Sequence, residues 1–192
     1  MRKLVCGVGI NDADYVVQPT VNGKRIHCKF YQTWHSMIRR CYSETYLIRQ
    51  PTYIGCTVCE EWKSFMNFRK WMLVQDWKSK HLDKDVLVTG NKIYSPKTCM
   101  FVSVEINNIF KNDYIKKTNL PAGVSKNELV FRTHVSMSKG VKKYNKVHKT
   151  VEKAALDYKF RKCLRILHVA AQQTDIRIRQ SLLRIANERY SI

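Results

Sequence analysis

Residues 129–137 alternate with a period of two, and this pattern restricts the backbone more than any other feature of the sequence. Phe131 and Val135 fall on one side of the alternation, and Arg132 and His134 fall on the other. Only a β-strand separates these two sets, because the side chains of a helix repeat about every 3.6 residues. We therefore predict a half-buried strand with Arg132 and His134 on its outward side.

The residues after this strand predict a second strand. Lys139-Gly140 forms a turn signal, and the following residues 141–148 are β-prone and basic. This strand would add Lys142, Lys143 and Lys146 to the polar side chains of the sheet.

Two helices are predicted to complete this half of the chain. Thr150 is a good N-cap residue with Glu152 in the first turn, and Thr174-Asp175 is a second cap. The inward stripe of the first helix is predicted to be Val151, Ala154, Ala155, Tyr158, Leu164 and Leu167, and that of the last helix Ile178, Leu182 and Ile185.

Aromatic residues at helical spacing dominate the first half of the chain. They predict two helices, one with Phe30, Trp34, Met37, Ile38 and Cys41 and one with Trp62, Phe65, Phe68 and Met72. We interpret both stripes as core rather than as base-stacking platforms. Arg39 and Arg40 lie beside the first stripe, and short strands are expected around 15–17 and around the Asn22-Gly23 turn.

Residues 82–110 have an unusual polar content. The sequence predicts a strand over 82–88, a loop at Gly90-Asn91, a strand over 99–102 and a short helix that Ser103 begins. Asp83 and Asp85 bracket Lys84 in the first strand, and Asn107 and Asn108 lie within the helix, where asparagine is a mediocre helix former.

A polar segment separates the two regions, so the chain is predicted to be α+β with two domains. The first domain covers 1–112, a linker covers 113–120, and the second domain covers 121–192 with its last helix as an extension.

The charge of the chain indicates a polyanionic partner. Thirty-five Lys and Arg against fifteen Asp and Glu give a formal charge of +20 over 192 residues, and nucleic acid is the commonest cellular polyanion. A hydrophobic content of 44% excludes wholesale disorder. No apolar run is long enough for a membrane span or a signal peptide, so we expect a soluble, cytoplasmic protein without a membrane partner.

Seven cysteines without a secretion signal argue against a disulfide framework. Cys56 and Cys59 have the C-x-x-C spacing of a zinc knuckle, and Cys41 and Cys99 could complete a structural zinc site. The alternative is that these cysteines are small buried hydrophobic residues.

The second region resembles an Apetala/ethylene-response-factor type domain. The resemblance rests on LPAGV at 120–124, FRTHV at 131–135 and TVEKAALDY at 150–158. It implies a three-stranded sheet packed on one helix, with the sheet face in the major groove of double-stranded DNA. The DNA-binding residues that it implies are Arg132, His134, Lys142, Lys143 and Lys146, to which we add Arg39 and Arg40 from the first region.

The first region is similar to bacteriophage proteins related to HNH homing endonucleases. The similarity rests on WHSMIRRCY at 34–42, GCTVCEEW at 55–62, LDKD at 82–85 and YSPKTC at 94–99. It implies a ββα-metal unit (His-Me finger) over 82–110, in which one magnesium or manganese ion assists phosphodiester hydrolysis.

The resemblance assigns candidate catalytic roles within this unit. Asp83 matches the metal-binding aspartate, Asn107 or Asn108 could match the helix ligand, and Asp85 lies close by. Lys84 occupies the position of the general-base histidine, and a protonated lysine cannot accept a proton. Thr98 stands where the motif has its loop asparagine.

Two hypotheses about function follow. The first is a sequence-specific double-stranded DNA-binding protein of HNH homing-endonuclease descent, in the host cytoplasm if phage-encoded, that cleaves DNA weakly or has lost cleavage and acts as a repressor. The alternative is a basic structural or inhibitory phage protein that binds an acidic host protein or RNA. Whether the chain is an enzyme is left open at this point.

Overall fold

The computed structural model of the protein describes residues 3–110, 120–136 and 143–190. It is a mixed α+β structure with small sheets, as predicted. The chain divides into two compact units, Met1–Ser103 and Val104–Ile192. Within the described ranges, no helix is long and apolar enough to cross a membrane.

The first unit consists of short elements. In chain order they are β1 (Thr20–Val21), β2 (Lys24–Arg25), α1 (Lys29–Tyr42), α2 (Glu44–Arg49), a 3₁₀ turn (Pro51–Tyr53), β3 (Thr57–Val58), α3 (Glu60–Lys63), α4 (Phe65–Leu73), β4 (His81–Asp83), β5 (Ile93–Tyr94) and β6 (Met100–Val102).

The predicted aromatic stripes form the core of this unit. Trp34 of α1 and Trp62 of α3 are fully buried, and the indole N–H of Trp34 donates to the Trp62 carbonyl at 2.7 Å. Phe65 and Phe68 of α4 pack around them. The interpretation of both stripes as core is therefore confirmed.

The predicted helix around Trp62 is two helices rather than one. The break falls at Ser64, whose hydroxyl accepts the backbone N–H of Asn67 at 3.2 Å and begins α4. Serine competes for backbone hydrogen bonds inside a helix and is favoured at the N-cap, which explains the break.

The small sheets depart from the sequence prediction in two places. The Asn22-Gly23 turn between β1 and β2 is confirmed, and both residues have positive φ, of 50° and 71°. Residues 15–17 are not a strand. The predicted strand over 82–88 ends at Asp83, because the Asp83 side chain turns the chain away from the sheet.

The second unit contains a three-stranded antiparallel sheet. Its elements are α5 (Val104–Phe110), β7 (Val124–Asn127), β8 (Val130–Val135), β9 (Tyr144–His148), α6 (Val151–Ala171) and α7 (Ile176–Tyr190). The strand order is β7-β8-β9. Thr133 and Val135 of β8 are buried, and the Thr133 hydroxyl donates to the Ala154 carbonyl of α6 at 2.9 Å.

The two helices follow the predicted pattern only in part. Thr150 caps α6 as predicted, and Ile178, Leu182 and Ile185 of α7 are buried as predicted. Leu164 and Leu167 are 43% and 40% exposed, whereas the buried side chains in that half of α6 are Ile166, Val169 and Ala170. The prediction of one stripe was wrong here, because α6 packs on both β8 and α7 and a helix between two partners does not bury a single stripe.

The division between the units falls earlier than the predicted linker. Glu105 of α5 accepts a hydrogen bond from the Arg165 guanidinium of α6 at 3.2 Å, within the second unit. Of the predicted linker 113–120, only Leu120 lies among the described residues. The predicted domain bounds therefore stay a prediction.

Candidate active site and nucleic-acid interface

The β4–β6 hairpin holds three of the predicted catalytic residues. The strands are antiparallel, with His81 opposite Val102 and Asp83 opposite Met100. Asp83 ends β4, and its Oδ1 accepts the backbone N–H groups of Asp85 at 2.7 Å and Val86 at 2.9 Å. The carboxylate thus builds the turn that follows the strand.

The protonation of Asp83 is shifted by its surroundings. Burial raises the pKa of the Asp83 carboxyl, and the nearby Asp85 charge raises it further, while the two backbone N–H donors and the charge of Lys84 oppose the shift. Its second oxygen, Oδ2, accepts no hydrogen bond from the residues that the structure describes. This oxygen is the one that could bind a cation.

Lys84 is buried, and its ammonium group is fully hydrogen-bonded. Only 7% of the residue is exposed, and its Nζ donates to both carboxylate oxygens of Asp85, at 2.8 and 2.9 Å, and to the Asn91 carbonyl at 2.6 Å. An ammonium has three N–H donors, and these three contacts use all of them. In this arrangement Lys84 holds the loop together and has no lone pair with which to accept a proton.

Asn91 is a site residue that the sequence reasoning missed. Its amide nitrogen donates to the Lys84 carbonyl at 2.9 Å and to the Ile93 carbonyl at 2.7 Å, so it bridges the start and the end of the loop. The sequence placed Thr98 at the loop position, but the Thr98 hydroxyl donates to the Ile93 carbonyl. The signal that could have identified Asn91 is its position in the Gly90-Asn91 turn.

The predicted metal ligands Asp83, Asp85 and Asn107 are divided between the two units of the chain. Asn107 lies on α5 and belongs to the second unit, whereas Asp83 and Asp85 belong to the first. Across residues 3–110, 120–136 and 143–190, no group of three or more His, Cys, Asp or Glu side chains is arranged to hold a metal ion. A cation at Asp83 would find one available carboxylate oxygen there, since Asp85 is paired with Lys84.

The four cysteines of the predicted zinc site are core residues in this structure. Cys41, Cys56 and Cys99 are buried and Cys59 is half-buried. Burial raises the pKa of the Cys41 thiol and that of the Cys99 thiol to about 12, which favours the neutral thiol, whereas zinc binds the thiolate. The geometry is that of buried thiols, and the zinc site stays a prediction.

The two arginines predicted to bind DNA from the first unit contact aromatic rings. The guanidinium of Arg39 lies 5.6 Å from the ring centroid of Tyr46, and that of Arg40 lies 5.8 Å from that of Tyr53. Arg39 is exposed and Arg40 is half-buried. Arg39 is therefore more accessible to a phosphate than Arg40.

The outer face of the three-stranded sheet carries a row of polar side chains. Arg132 and His134 are exposed on β8, as predicted. The His134 ring lies between Ser125 of β7 and Asn145 of β9, with Nε2 at 2.7 Å from the serine hydroxyl and Nδ1 at 2.5 Å from the asparagine Oδ1. Because Oδ1 can only accept, Nδ1 donates, and the neutral ring accepts the serine proton at Nε2.

The lysines predicted for this face are placed differently. Lys146 lies opposite Thr133 in the register, and directly opposite residues share a face, so its side chain is on the α6 side of the sheet. Grouping Lys146 with Arg132 was wrong for this reason. Lys143 is exposed just before β9, and Lys142 lies outside the described residues.

Comparison with protein-family models, with curated proteins and with solved structures gives no match. The function is therefore argued from the residues and their geometry.

Proposed function

We propose that this protein binds double-stranded DNA sequence-specifically through the outer face of β7–β9, and that its β4–β6 hairpin is an HNH-type nuclease unit with weak or lost cleavage. The observation that carries the proposal is the row Ser125–His134–Asn145 beside Arg132 on one exposed sheet face. The resemblance to the Apetala-type domain and to HNH homing endonucleases supports the same reading.

The chemistry of this row suits base recognition. The major groove admits a β-ribbon, arginine binds guanine through two hydrogen bonds, and asparagine does the same with adenine. The contacts across β7, β8 and β9 fix the His134 ring and the Asn145 carbonyl, which leaves the Asn145 amide N–H groups as oriented donors. A rigid row of donors discriminates between base pairs better than mobile side chains do.

The charge of the chain supplies the sequence-independent part of binding. A formal charge of +20 attracts the phosphate backbone and gives an affinity that falls with salt. A DNA-binding protein needs no catalytic step to act as a repressor or an accessory binder, and the hairpin favours that role.

The geometry of the β4–β6 hairpin supports the proposal that any DNA cleavage is weak. Hydrolysis needs a group that accepts a proton from water, and general-base catalysis contributes roughly 10²–10⁴ in rate. Lys84 is at the base position and its Nζ donates three hydrogen bonds. Any residual cutting should therefore rely on a cation at Asp83 and on hydroxide, and should rise with pH.

The test of the DNA interface is Arg132→Ala. We expect it to weaken binding by roughly 1–3 kcal/mol on the preferred duplex and to relax base preference, measured by competition between duplexes at fixed salt. Lys159→Ala is the matched control, since it removes one exposed positive charge from α6, which packs on the other side of the sheet.

Three other results would change the proposed role of Arg132, the proposed interface or the proposed partner. Equal weakening on all duplexes would make Arg132 a phosphate contact, and no change would exclude the sheet face as the interface. A binder with no preference among duplexes, against the roughly 10³ expected of a specific one, would favour the alternative of RNA or an acidic protein as partner.

The test of the nuclease unit is cutting of supercoiled plasmid with magnesium or manganese. We expect slow nicking or none, and Asp83→Ala should abolish any nicking while leaving DNA binding unchanged. Efficient cutting that survives Asp83→Ala would place the active site elsewhere.

A further inference from the structure

A pocket of about 450 Å³ lies beside α1 in the first unit. Its walls come from α1, from the chain around the β1–β2 hairpin and from the start of β4. Six of its lining residues are cationic or can become so, namely His27, Lys29, His35, Arg40, Lys80 and His81. Among the described residues, no Asp or Glu lines it.

The positive charges of this pocket are incompletely neutralised. Lys80 pairs with Asp76, but the Asp76 side chain is 79% exposed and does not line the pocket. Burial, and then the positive charge of Arg39, lower the pKa of His35. Like charges therefore already act on this ring in the absence of an anion, and an anion in the pocket would relieve that repulsion.

We propose that this pocket binds a phosphomonoester, carried by a free nucleotide or by the 5′ end of a nucleic acid chain. A phosphomonoester has a charge of about −1.5 to −2 at pH 7 and three acceptor oxygens, which suits several converging cations. The volume lies in the range of small-molecule pockets and is large enough for one nucleotide, but a duplex does not fit inside it.

Neutral groups add to the recognition. Gln32, Thr33 and Ser36 of α1 also line the pocket and offer side-chain hydrogen-bond groups next to the cations. Within the described part of the chain, the pocket shares no residue with the sheet face, so its proposed ligand does not depend on the proposed DNA interface.

The experiment is a titration of the full chain with deoxythymidine monophosphate, followed by NMR of the histidine ring protons. We expect the His35 resonances to shift and the pKa of His35 to rise, because the anion favours the protonated ring. Binding should therefore strengthen as the pH falls from 8 to 7, a range in which the phosphate keeps most of its second charge. Thymidine, which lacks the phosphate, should cause no shift.

Lys29→Gln should weaken binding of the monophosphate roughly tenfold, which is the effect of losing one charge-assisted hydrogen bond. Lys70→Gln on α4 is the matched control, since Lys70 is exposed and does not line the pocket. Arg132→Ala should leave this binding unchanged, which separates the pocket from the sheet face.

The source of the phosphate is found with 5′-phosphorylated and 5′-hydroxyl oligonucleotides. Binding of the free monophosphate assigns the pocket to nucleotides, and binding of the phosphorylated oligonucleotide alone assigns it to chain ends; both uphold a phosphomonoester site. Equal shifts with thymidine, equal weakening by Lys29→Gln and Lys70→Gln, or no shift with any of these probes would overturn it.

Discussion

The Asp83 carboxylate has two opposing effects on the stability of the first unit: its hydrogen bonds are favourable and the burial of its charge is unfavourable. Its Oδ1 builds the turn after β4 by accepting two backbone N–H groups, yet burial of the charge raises its pKa. A neutral amide could accept the same two hydrogen bonds. A buried carboxylate at this position is what a cation site would require and what a turn alone would not.

Asp83→Asn should therefore stabilise the first unit at neutral pH. The pKa of Asp83 is raised in the folded protein, so the ionised carboxylate lowers the free energy of unfolding at any pH above that pKa, where the folded and the unfolded protein are both ionised. This loss of stability disappears below about pH 4, where the carboxyl is protonated in the folded and in the unfolded protein. We expect a higher Tm for Asp83→Asn at pH 7.5, with a gain that shrinks toward pH 4, measured with EDTA present. Asp85→Asn, which removes the partner of buried Lys84, should lower the Tm instead.

Gly123 is fixed by its neighbour Tyr158. A Cβ at this position would lie 2.0 Å from the Tyr158 ring, and the glycine φ of +70° is unfavourable for other residues. Gly123→Ala should lower the free energy of unfolding of the second unit by more than the roughly 1–2 kcal/mol of the left-handed conformation alone. Gly90 has a similar φ of +75° but open space around it, so Gly90→Ala has the conformational cost without a steric clash. Comparing the thermal melts of the two variants separates the steric effect of Tyr158 from the conformational effect. An equal loss in both variants would contradict a close contact with Tyr158.

At the scale of elements, the contact between β9 and α6 depends on Asp157. Its carboxylate accepts the Tyr144 hydroxyl at 3.0 Å and lies 3.0 Å from His148 Nε2, both on β9. Arg161 packs over the Tyr144 ring, with its guanidinium carbon 4.5 Å from the centroid. This cluster joins the edge strand β9 to α6.

Asp157→Ala should destabilise the second unit by roughly 1.5–3 kcal/mol, because hydrogen bonds to a charged group are lost in a site where only 13% of the side chain is exposed. Denaturant unfolding measures this loss. The same substitution at Asp76, an exposed partner of Lys80, should change stability by less than about 1 kcal/mol. Similar effects of the two substitutions would show that the Asp157 cluster is only a surface contact.

The differences between the predicted and observed elements have a common physical cause. Periodicity identified the helical stripes around Trp34 and Trp62 and the alternation around Arg132, because each depends on neighbours along the chain. The face of Lys146 depends on register with Thr133, the end of β4 depends on the Asp83 side chain, and the role of Asn91 depends on Lys84 and Ile93 across a loop. These are contacts that a single sequence does not display.

At the scale of the whole molecule, the excess of positive charge should determine how the proposed binding to DNA responds to salt. A formal charge of +20 is spread over both units, so we expect phosphate contacts beyond those of the β7–β9 sheet. The logarithm of the binding constant should fall linearly with the logarithm of the salt concentration, with a slope of about −0.9 for each phosphate neutralised.

Lys143→Gln should reduce the magnitude of that slope by about one and leave base preference unchanged. The reason is that Lys143 is exposed beside the sheet, where we expect it to contact a phosphate rather than a base. Binding isotherms at four or more salt concentrations measure the slope. Glu152→Gln, which removes an exposed negative charge, is the control and should not reduce it. A changed base preference in Lys143→Gln would instead place this lysine at a base edge.

The hydrogen bonds of Lys84 limit what a substitution at this position can achieve. A histidine could not replace the three donors that bind Asp85 and the Asn91 carbonyl, so placing an imidazole base here would loosen the loop that must hold that base. We expect Lys84→His alone to lower the Tm and to leave plasmid cutting slow; fast cutting at an unchanged Tm would contradict this. On the proposed HNH descent, an imidazole base would therefore lie more than one substitution away, because Lys84 and Asp85 stabilise the loop as a pair.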